Sequence, residues 1–456
     1  MHTVLAAVLA LAAPEAEVSA KNVILMIADG TGPNSYAAAA MYEGRLGREV
    51  FDGPAWQKLM VSTYPLASSG KPRLTGVQDP NVVYDPAKAW ANDGYAWLKS
   101  TPTDSAAAAT AFATGQKTYN GAISWSDMDQ PMTNLGQLFH QAGKSTGVVT
   151  TVSWSDATPA AMLAHSPGRG NRESIAREMV ERSGATVIMG AGHPWYDSSG
   201  RRRERMGDAG AVGNRPYFTT PIETYGYTRL IEKRADFEAL AAGRLDMKGR
   251  RQLVGTVQAG GATQHERQTR DWNGDGKVDG QDTKAMPPYG DPLNRNVPTL
   301  ATMAKGALNL LSRNPKGFFL MVEGGAVDHA NHGNEPGRAI EETLDFFRAV
   351  EAANRWVEQN GGWKKNLLIV TADHETGGVW GEGSDNDPFA PVVDRGRGKL
   401  PRIGFNTGGH TNSLVPLYAR GAGAELFAGY ASRTDPKRGR YLDNTDVFKV
   451  ASRSAE

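Results

Sequence analysis

The sequence predicts an α/β fold, in which a central, mostly parallel β-sheet is flanked by helices on both faces. Short, continuous apolar runs indicate strands buried on both sides, and they recur at 22–28, 147–151, 186–189, 318–322 and 367–371. Helical patterns lie between these runs, notably at 172–182 and 336–359. Strands that alternate with helices are typical of a parallel sheet.

Acidic residues follow several of these strands. Four clusters come directly after an apolar run, at Asp29, Asp156, Glu323 and Asp373. Because open α/β sheets bind ligands at the carboxyl ends of their strands, we expect these residues to share one site.

The N-terminus has the pattern of a secretory signal. An apolar stretch at 4–13 is followed by Pro14 and by the small-residue pattern Val18-Ser19-Ala20. The segment before the stretch carries His2 but neither Lys nor Arg, so a truncated start or a signal that begins upstream stays open. Ten apolar residues are too few to span a membrane. We expect a signal peptide at 1–20 and an exported, soluble protein, periplasmic or extracellular, with its mature domain at 21–456.

Composition narrows the class of protein. The 456 residues suffice for one large α/β domain with insertions, or for two to three smaller domains. Lys and Arg number 50 against 49 Asp and Glu, which gives no indication of a nucleic-acid or anionic membrane partner. The chain has no Cys, which excludes disulfides and thiolate zinc sites. Any zinc must therefore be bound by His and carboxylates.

Residues 194–298 differ from the rest of the chain. They are polar, rich in Arg and Gly and poor in apolar runs, which predicts a loop-rich insertion that covers or flanks the site like a crown or lid. Within it, DWNGDGKVDGQD matches the spacing of an EF-hand calcium loop. The ligands would be Asp271, Asn273, Asp275, the Lys277 carbonyl, Asp279 and Asp282. A structural Ca²⁺ is our interpretation, and a solvated acidic turn is the alternative.

Ser105 opens an Ala-rich helix that stops at Gly115, and Asp104 precedes it. Helix N-termini carry free N–H groups and a positive dipole end, so they bind anions and favour ionised nucleophiles. An Asp-Ser pair at this position is more often only a helix cap. The metal-ligand patterns elsewhere in the chain favour the nucleophile.

Those patterns pair His with carboxylates. Asp328 and His332 are four residues apart, which places both on one helical face. Asp373 and His374 end an apolar strand, and His410 lies in a Gly-rich turn. Taken singly, each His is more often structural. Together with the serine, the set predicts metal-assisted phosphoryl transfer, in which two metals and an Arg fork neutralise charge.

The chain resembles the alkaline phosphatase family over nearly all of its mature length. The similar motifs occur in the family's order: ADGTG at Asp29, TDSAAAATAFATG at Ser105, SDATPAAMLAH at 155–165, VEGGAVDHANHGN at 322–334, TADHETGG at 371–378 and TGGHT at His410. The segment 194–298 is the part least covered.

The resemblance implies a role for each residue. Ser105 would be the nucleophile that forms phosphoserine, and Arg169 would bind the phosphate, with Arg172 as its rival. One zinc would be held by Asp328, His332 and His410, and a second zinc by Asp29, Asp373 and His374. Asp29 would bridge to a magnesium held by Thr158 and Glu323, with Asp156 bound to it through water.

The resemblance leaves other properties open. The expected reaction is hydrolysis of phosphate monoesters; a phosphodiesterase of the same superfamily and a non-catalytic exported metal-binding protein are the alternatives. Family members are dimers or monomers, so a homodimer stays open. Asp104 would orient Arg169 or cap the helix, His165 and Glu375 would be structural, and His329 would tune the site.

Overall fold

The computed structural model describes residues 19–91, 93–207, 213–220 and 222–456. Most of the predicted signal peptide, residues 1–18, lies outside this part of the chain. In chain order, the described strands are β1 (Asn22–Ala28), β2 (Gln57–Ser62), β3 (Ser145–Ser153), β4 (Val187–Ala191), β5 (Thr228–Ile231), β6 (Gln252–Thr256), β7 (Phe318–Gly324), β8 (Asn366–Thr371), β9 (Glu375–Thr376), β10 (Val379–Trp380), β11 (Gly404–Phe405), β12 (His410–Thr411), β13 (Val415–Gly421), β14 (Arg433–Asp435) and β15 (Gly439–Asp443).

One large sheet contains most of these strands. Its order is β14-β15-β2-β13-β8-β1-β7-β3-β4-β6-β5, and the strands from β8 to β5 are all parallel. Antiparallel pairs occur at the other end, where β13 pairs with β8 and β2, and β14 with β15. Two small ribbons, β10-β11 and β12-β9, lie outside the sheet. The predicted α/β fold with a mostly parallel sheet is confirmed.

Helices cover both faces of the sheet. The described α-helices are α1 (Pro33–Glu43), α2 (Pro86–Ala89), α3 (Gly94–Leu98), α4 (Ser105–Thr114), α5 (Leu135–Gln141), α6 (Ala157–Ala161), α7 (Arg172–Glu181), α8 (Pro216–Thr219), α9 (Arg234–Ala241), α10 (Gly280–Ala285), α11 (Leu300–Leu311), α12 (Ala326–His332), α13 (Pro336–Gln359), α14 (Leu426–Tyr430) and α15 (Thr445–Ala451). None of these helices combines the length and the apolar composition that crossing a bilayer requires.

The alternation of side chains along β1 explains the layered architecture. Val23, Leu25 and Ile27 belong to one hydrophobic core, with residues of α4 to α7 and α15. Ile24 and Met26 belong to a second core, with residues of α1, α9, α11 and α13. Successive strand residues point to opposite faces, so a strand buried between two helical layers must be apolar throughout.

The prediction for the segment 194–298 requires a correction. It was expected to be a loop-rich insertion, but it contributes β6, which pairs with β4, and β5, which forms the edge of the main sheet. These strands are only five and four residues long, and β6 follows directly on Arg250 and Arg251. Neither strand therefore stands out as an apolar run. Loops, α9 and short helical turns make up much of the remaining described segment.

Candidate active site

Acidic residues lie at the carboxyl ends of the central strands of the sheet. β8, β1, β7 and β3 are neighbours, and the parallel register pairs Ile27 of β1 with Glu323 of β7. Asp29 follows the last residue of β1, and Asp373 lies two residues beyond the end of β8. Asp156 follows β3 and caps α6 through Ala157 N–H. Because these strands are parallel, their carboxyl ends lie on the same side of the sheet, and the acidic residues lie close together on that side.

Ser105 is the first residue of α4, and its side chain reaches the same region. It is buried, and its Oγ lies 3.2 Å from His374 Nε2. Asp104 caps the helix, because its Oδ1 accepts hydrogen bonds from the backbone N–H groups of Ala107 and Gly121, both at 2.9 Å. The hydroxyl thus lies at a ten-residue helix N-terminus, where the dipole favours a developing negative charge.

One cluster of ligand-type atoms combines Asp328, His374 and His410, whose nearest donor atoms lie within 4.8 Å of one another. His332 adjoins this cluster from the end of α12. Its Nε2 is 3.3 Å from Asp328 Oδ2 and 3.0 Å from His410 Nε2. The rings of His374 and His410 stack with centroids 3.7 Å apart. Four side chains from α12, β12 and the turn after β8 therefore converge.

A second cluster combines Asp29, Asp373 and His374. His374 Nε2 is 3.5 Å from Asp29 Oδ1 and 3.2 Å from Asp373 Oδ2. Both of those carboxylate oxygens are buried without a hydrogen-bond partner. Burial and the neighbouring carboxylates raise the pKa of Asp29 well above its ordinary value and that of Asp373 to about 8. The two carboxylates together carry more negative charge than the neighbouring His374 can neutralise.

A third group lies beside Asp29. Glu323 is buried and accepts a hydrogen bond from the Thr150 hydroxyl. Burial raises the pKa of Glu323 to about 7, although the hydroxyls of Thr150 and Thr158 act in the opposite direction. Thr158 is buried on α6. Glu323 and Thr158 are thus brought together as predicted, while the part played by Thr150 was not foreseen.

Arg169 lies between two acidic side chains. Its Nη1 donates to Asp104 Oδ2 at 3.2 Å and its Nη2 to Asp156 Oδ1 at 3.1 Å. Arg172 approaches Asp156 Oδ1 less closely, at 3.7 Å. Burial lowers the pKa of Arg169, but Asp156 and Asp104 outweigh it and the net shift is upward. Asp104 therefore both caps α4 and orients Arg169 through its two oxygens.

Several groups orient the histidines without having been singled out. His410 Nδ1 lies 2.8 Å from the Thr103 carbonyl, and His332 Nδ1 lies 2.7 Å from the Gly408 carbonyl. Each carbonyl fixes one ring nitrogen as a donor and frees the other to act as a ligand. The Thr376 hydroxyl donates to Asp328 Oδ1 at 2.6 Å and lies 3.2 Å from His374 Nδ1.

Gly30 permits the close approach of the two clusters. Its φ is +66°, a conformation that favours glycine, and a Cβ atom there would lie 2.6 Å from Asp328 Oδ1. Its N–H donates to Asp373 Oδ1 at 3.1 Å. The loop after β1 thus holds Asp373 directly and leaves room for Asp328.

Other predicted residues lie in different surroundings. His165 Nδ1 contacts Glu178 at 2.6 Å, which accords with a structural role. Glu375 is buried and accepts hydrogen bonds from Thr411 and Val379 N–H. His329 is partly exposed, with its Nδ1 3.9 Å from Glu266 Oε1.

The acidic loop of the segment 194–298 is folded on its own side chains. Asp271 accepts hydrogen bonds from Gly274 and Gly276 N–H, and Asp282 accepts from Trp272, Asn273 and Asp279 N–H. The other predicted ligand positions continue this pattern: Asn273 accepts from Asp275 N–H, Asp275 accepts from Lys277 N–H, and Asp279 caps α10.

The clustered side chains fit metal ions. Asp29 and Asp373 each place a buried, unpartnered oxygen beside an imidazole, and the ligand set of nitrogen and carboxylate suits zinc. Around Glu323 the donors are carboxylate and hydroxyl oxygens, which suit magnesium. Unpaired buried carboxylates are costly, so cations are the natural complement.

Comparison with known proteins identifies the family of this chain. The family model of alkaline phosphatase matches residues 20–400. The alkaline phosphatase of Escherichia fergusonii is 29% identical over 91% of this chain and 84% of its own length, and alkaline phosphatase H of Pseudomonas aeruginosa is 30% identical over 78% and 69%. The structure of a cold-active alkaline phosphatase from a psychrophilic Shewanella has a TM-score of 0.63 and 24% identity, covering 95% of this chain and all of that one. This structural likeness concerns the fold.

Proposed function

The chain belongs to the alkaline phosphatase family of enzymes, which hydrolyse phosphate monoesters, and we propose that it does so through a covalent phosphoserine on Ser105. The observation that carries the proposal is the position of the Ser105 hydroxyl. It lies at the N-terminus of α4, 3.2 Å from His374 Nε2, in the group of buried carboxylates and imidazoles at the sheet edge.

The reaction proceeds in two displacements. Ser105 Oγ gives its proton to water and attacks phosphorus, so that the new O–P bond forms while the ester O–P bond breaks. The departing alkoxide takes a proton from water and leaves as the alcohol. Water then attacks the phosphoserine, restoring the Ser105 hydroxyl and releasing inorganic phosphate. The free N–H groups of the first turn of α4 and the Arg169 guanidinium face the negative charge of the phosphoryl group.

Arg169 binds the phosphate as a fork. Its two terminal nitrogens already hold two carboxylates, Asp104 and Asp156, at 3.2 and 3.1 Å. A guanidinium presents parallel donors that match two phosphate oxygens. Asp104 and Asp156 keep that fork in place when substrate is absent.

Three metal positions complete the proposal. Asp328, His332 and His410 would hold one Zn²⁺, and Asp29, Asp373 and His374 would hold another. Asp29, Thr158 and Glu323 would hold one Mg²⁺, and Asp156 would act on it through water. When bound, these ions neutralise charge on the phosphoryl oxygens and favour the ionised hydroxyl and the leaving oxygen. The support is the unpartnered, buried oxygens of Asp29 and Asp373 and the convergence of the histidines on Asp328.

Calcium binding at 271–282 is a separate proposal. The ligands are the predicted ones, with Lys277 contributing its carbonyl, and the support is the sequence spacing together with the way the loop folds on its own carboxylates. Equilibrium dialysis against ⁴⁵Ca²⁺ is expected to show one fewer Ca²⁺ in Asp271→Ala/Asp275→Ala than in the native chain. Equal binding by both proteins contradicts the proposal.

We also propose that residues 1–20 direct export to the periplasm or the extracellular space. The support is their composition. N-terminal sequencing of the protein recovered outside the cytoplasm is expected to begin at or near Lys21. Recovery of an intact N-terminus contradicts cleavage there.

The decisive assay compares p-nitrophenyl phosphate with bis-p-nitrophenyl phosphate. Both substrates are offered at alkaline pH to the native chain and to Ser105→Ala, each loaded with zinc and magnesium. We expect monoester turnover to exceed diester turnover and to fall by several orders of magnitude in the variant. Diester preference identifies a phosphodiesterase with the same site, and inactivity on both esters with metal bound identifies a non-catalytic metal-binding protein.

A further inference from the structure

A second acidic region lies in the N-terminal half of α13, outside the proposed catalytic residues. There a cavity of about 110 Å³ is lined by Glu341, Glu342 and Asp345 from the helix, together with Gln264, Tyr289 and Thr299. One water molecule takes about 30 Å³, so the cavity has room for an ion with several waters.

The charge of Glu341 is already balanced. Arg267 donates to Glu341 Oε2 at 2.6 Å, and Arg338 donates to Asp291 Oδ2 at 2.9 Å. All four side chains are buried. Two buried arginines therefore match two carboxylates, and Arg270 also approaches Asp291 Oδ1, at 3.7 Å, from a mostly exposed position. Burial raises the pKa of Glu342 by more than the neighbouring His265 and Arg267 lower it.

Glu342 is the group that lacks a partner. It is 3% exposed and lines the cavity, and its Oε1 is buried without a hydrogen-bond partner. Asp345 lies three residues later on the same helical face, and its Oδ2 accepts a hydrogen bond from Leu300 N–H at 3.1 Å. A buried carboxylate with an unmatched charge is strongly unfavourable unless a cation or a proton accompanies it.

The one arginine that lines the cavity is engaged elsewhere. Arg348 Nη2 donates to Glu43, and its Nη1 is 3.5 Å from Glu351. Glu351 in turn accepts a hydrogen bond from Arg45, which also pairs with Glu49, so this group already contains more carboxylates than guanidinium groups. Arg348 therefore cannot offset the charges of Glu342 and Asp345.

We infer that this cavity binds one hydrated divalent cation of the magnesium class, with Glu342 and Asp345 as its carboxylate ligands. Mg²⁺ is characteristically held by one or two carboxylates while it keeps several waters. The cation would join α13 to the start of α11 and to the loop that carries Tyr289. The inference is independent of the proposed reaction, because neither carboxylate is among the proposed catalytic residues.

Metal content tests the inference without reference to activity. The zinc- and magnesium-loaded protein is dialysed at pH 9, where Glu342 is ionised although burial raises its pKa to about 7, and bound metals are counted by elemental analysis. Glu342→Gln is expected to bind one Mg²⁺ fewer per chain than the native protein and the same amount of zinc. Glu358→Gln is the matched control, because Glu358 is also on α13 but half exposed and absent from the cavity lining.

Equal magnesium in Glu342→Gln and the native protein overturns the inference. A gain in melting temperature by Glu342→Gln that is independent of Mg²⁺ overturns it too, since a proton would then be the natural partner of Glu342. If Glu342→Gln does not fold, Asp345→Asn replaces it, because the amide oxygen still accepts the Leu300 N–H. Loss of one Mg²⁺ in that variant supports the site, and unchanged magnesium overturns it.

Discussion

Replacing Arg169 tests which arginine binds phosphate. Arg169→Ala removes two donors, each of which makes a charge-assisted hydrogen bond in the structure, at 3.2 and 3.1 Å. Such bonds contribute about 1.5–3 kcal/mol each. A combined loss of about 3–6 kcal/mol corresponds to a decrease in kcat/KM of about 10²- to 10⁴-fold, since about 1.4 kcal/mol equals a factor of ten.

The neighbouring arginine supplies the matched control. Among the residues that the structure describes, the carboxylate paired with the Arg172 guanidinium is that of Asp156, whose Oδ1 lies 3.7 Å away. We expect Arg172→Ala to lower kcat/KM by less than about tenfold. Arg169→Lys keeps the charge but not the fork, so its activity is expected to lie between those of the native protein and Arg169→Ala.

The assay is p-nitrophenyl phosphate hydrolysis by metal-loaded protein, with inhibition by inorganic phosphate measured alongside. Loss of the fork is expected to raise the inhibition constant of phosphate together with the loss in kcat/KM. A larger loss for Arg172→Ala than for Arg169→Ala refutes the assignment of the fork.

Three further predictions concern positioning, charge and metals. Asp104→Asn keeps an oxygen that accepts from Ala107 N–H but removes the charge beside Arg169. We therefore expect kcat/KM to fall about tenfold while the melting temperature stays nearly unchanged. A large drop in melting temperature contradicts the separation of helix capping from the orientation of Arg169. Burial raises the pKa of Glu49 to about 7, although Arg45 lowers it, so this carboxyl favours the folded state at low pH and that contribution is lost as pH rises through about 7. Glu49→Gln is therefore expected to be more stable than the native protein by about 1–2 kcal/mol at pH 9 and nearly equal to it at pH 4 in urea unfolding; a pH-independent difference contradicts this. Excess EDTA is expected to lower the melting temperature by leaving buried carboxylates without counter-charge, and an unchanged value after verified metal removal contradicts it.

The central part of the fold was accessible from sequence because its strands are buried on both faces. β1, β7 and β8 are continuous apolar runs, and the helix predicted at 336–359 has those bounds as α13. β5 and β6 were missed because both strands are short and adjoin charged residues, which leaves little apolar length. Pattern alone cannot separate such a strand from a loop.

The proposed ligand side chains were accessible because acidic and histidine residues follow recognisable strands and turns. The groups that orient them were not. His410 depends on the Thr103 carbonyl and His332 on the Gly408 carbonyl, and a backbone carbonyl carries no sequence signal. Thr376 lies in a motif that was noticed, but a hydroxyl that supports both Asp328 and His374 looks in sequence like any other threonine.

The place of β1 in the sheet has a consequence for how the chain folds. β1 begins at Asn22, yet both of its hydrogen-bonding neighbours, β7 and β8, lie between residues 318 and 371. A chain made from its N-terminus therefore carries an apolar strand with two open edges until most of the protein has been synthesised. Such strands invite association with other chains, and contacts so distant in sequence form slowly. Asp29 thus reaches Glu323 and Asp373 only after β7 and β8 have been made, and an N-terminal fragment that stops before Asp373 cannot assemble this site.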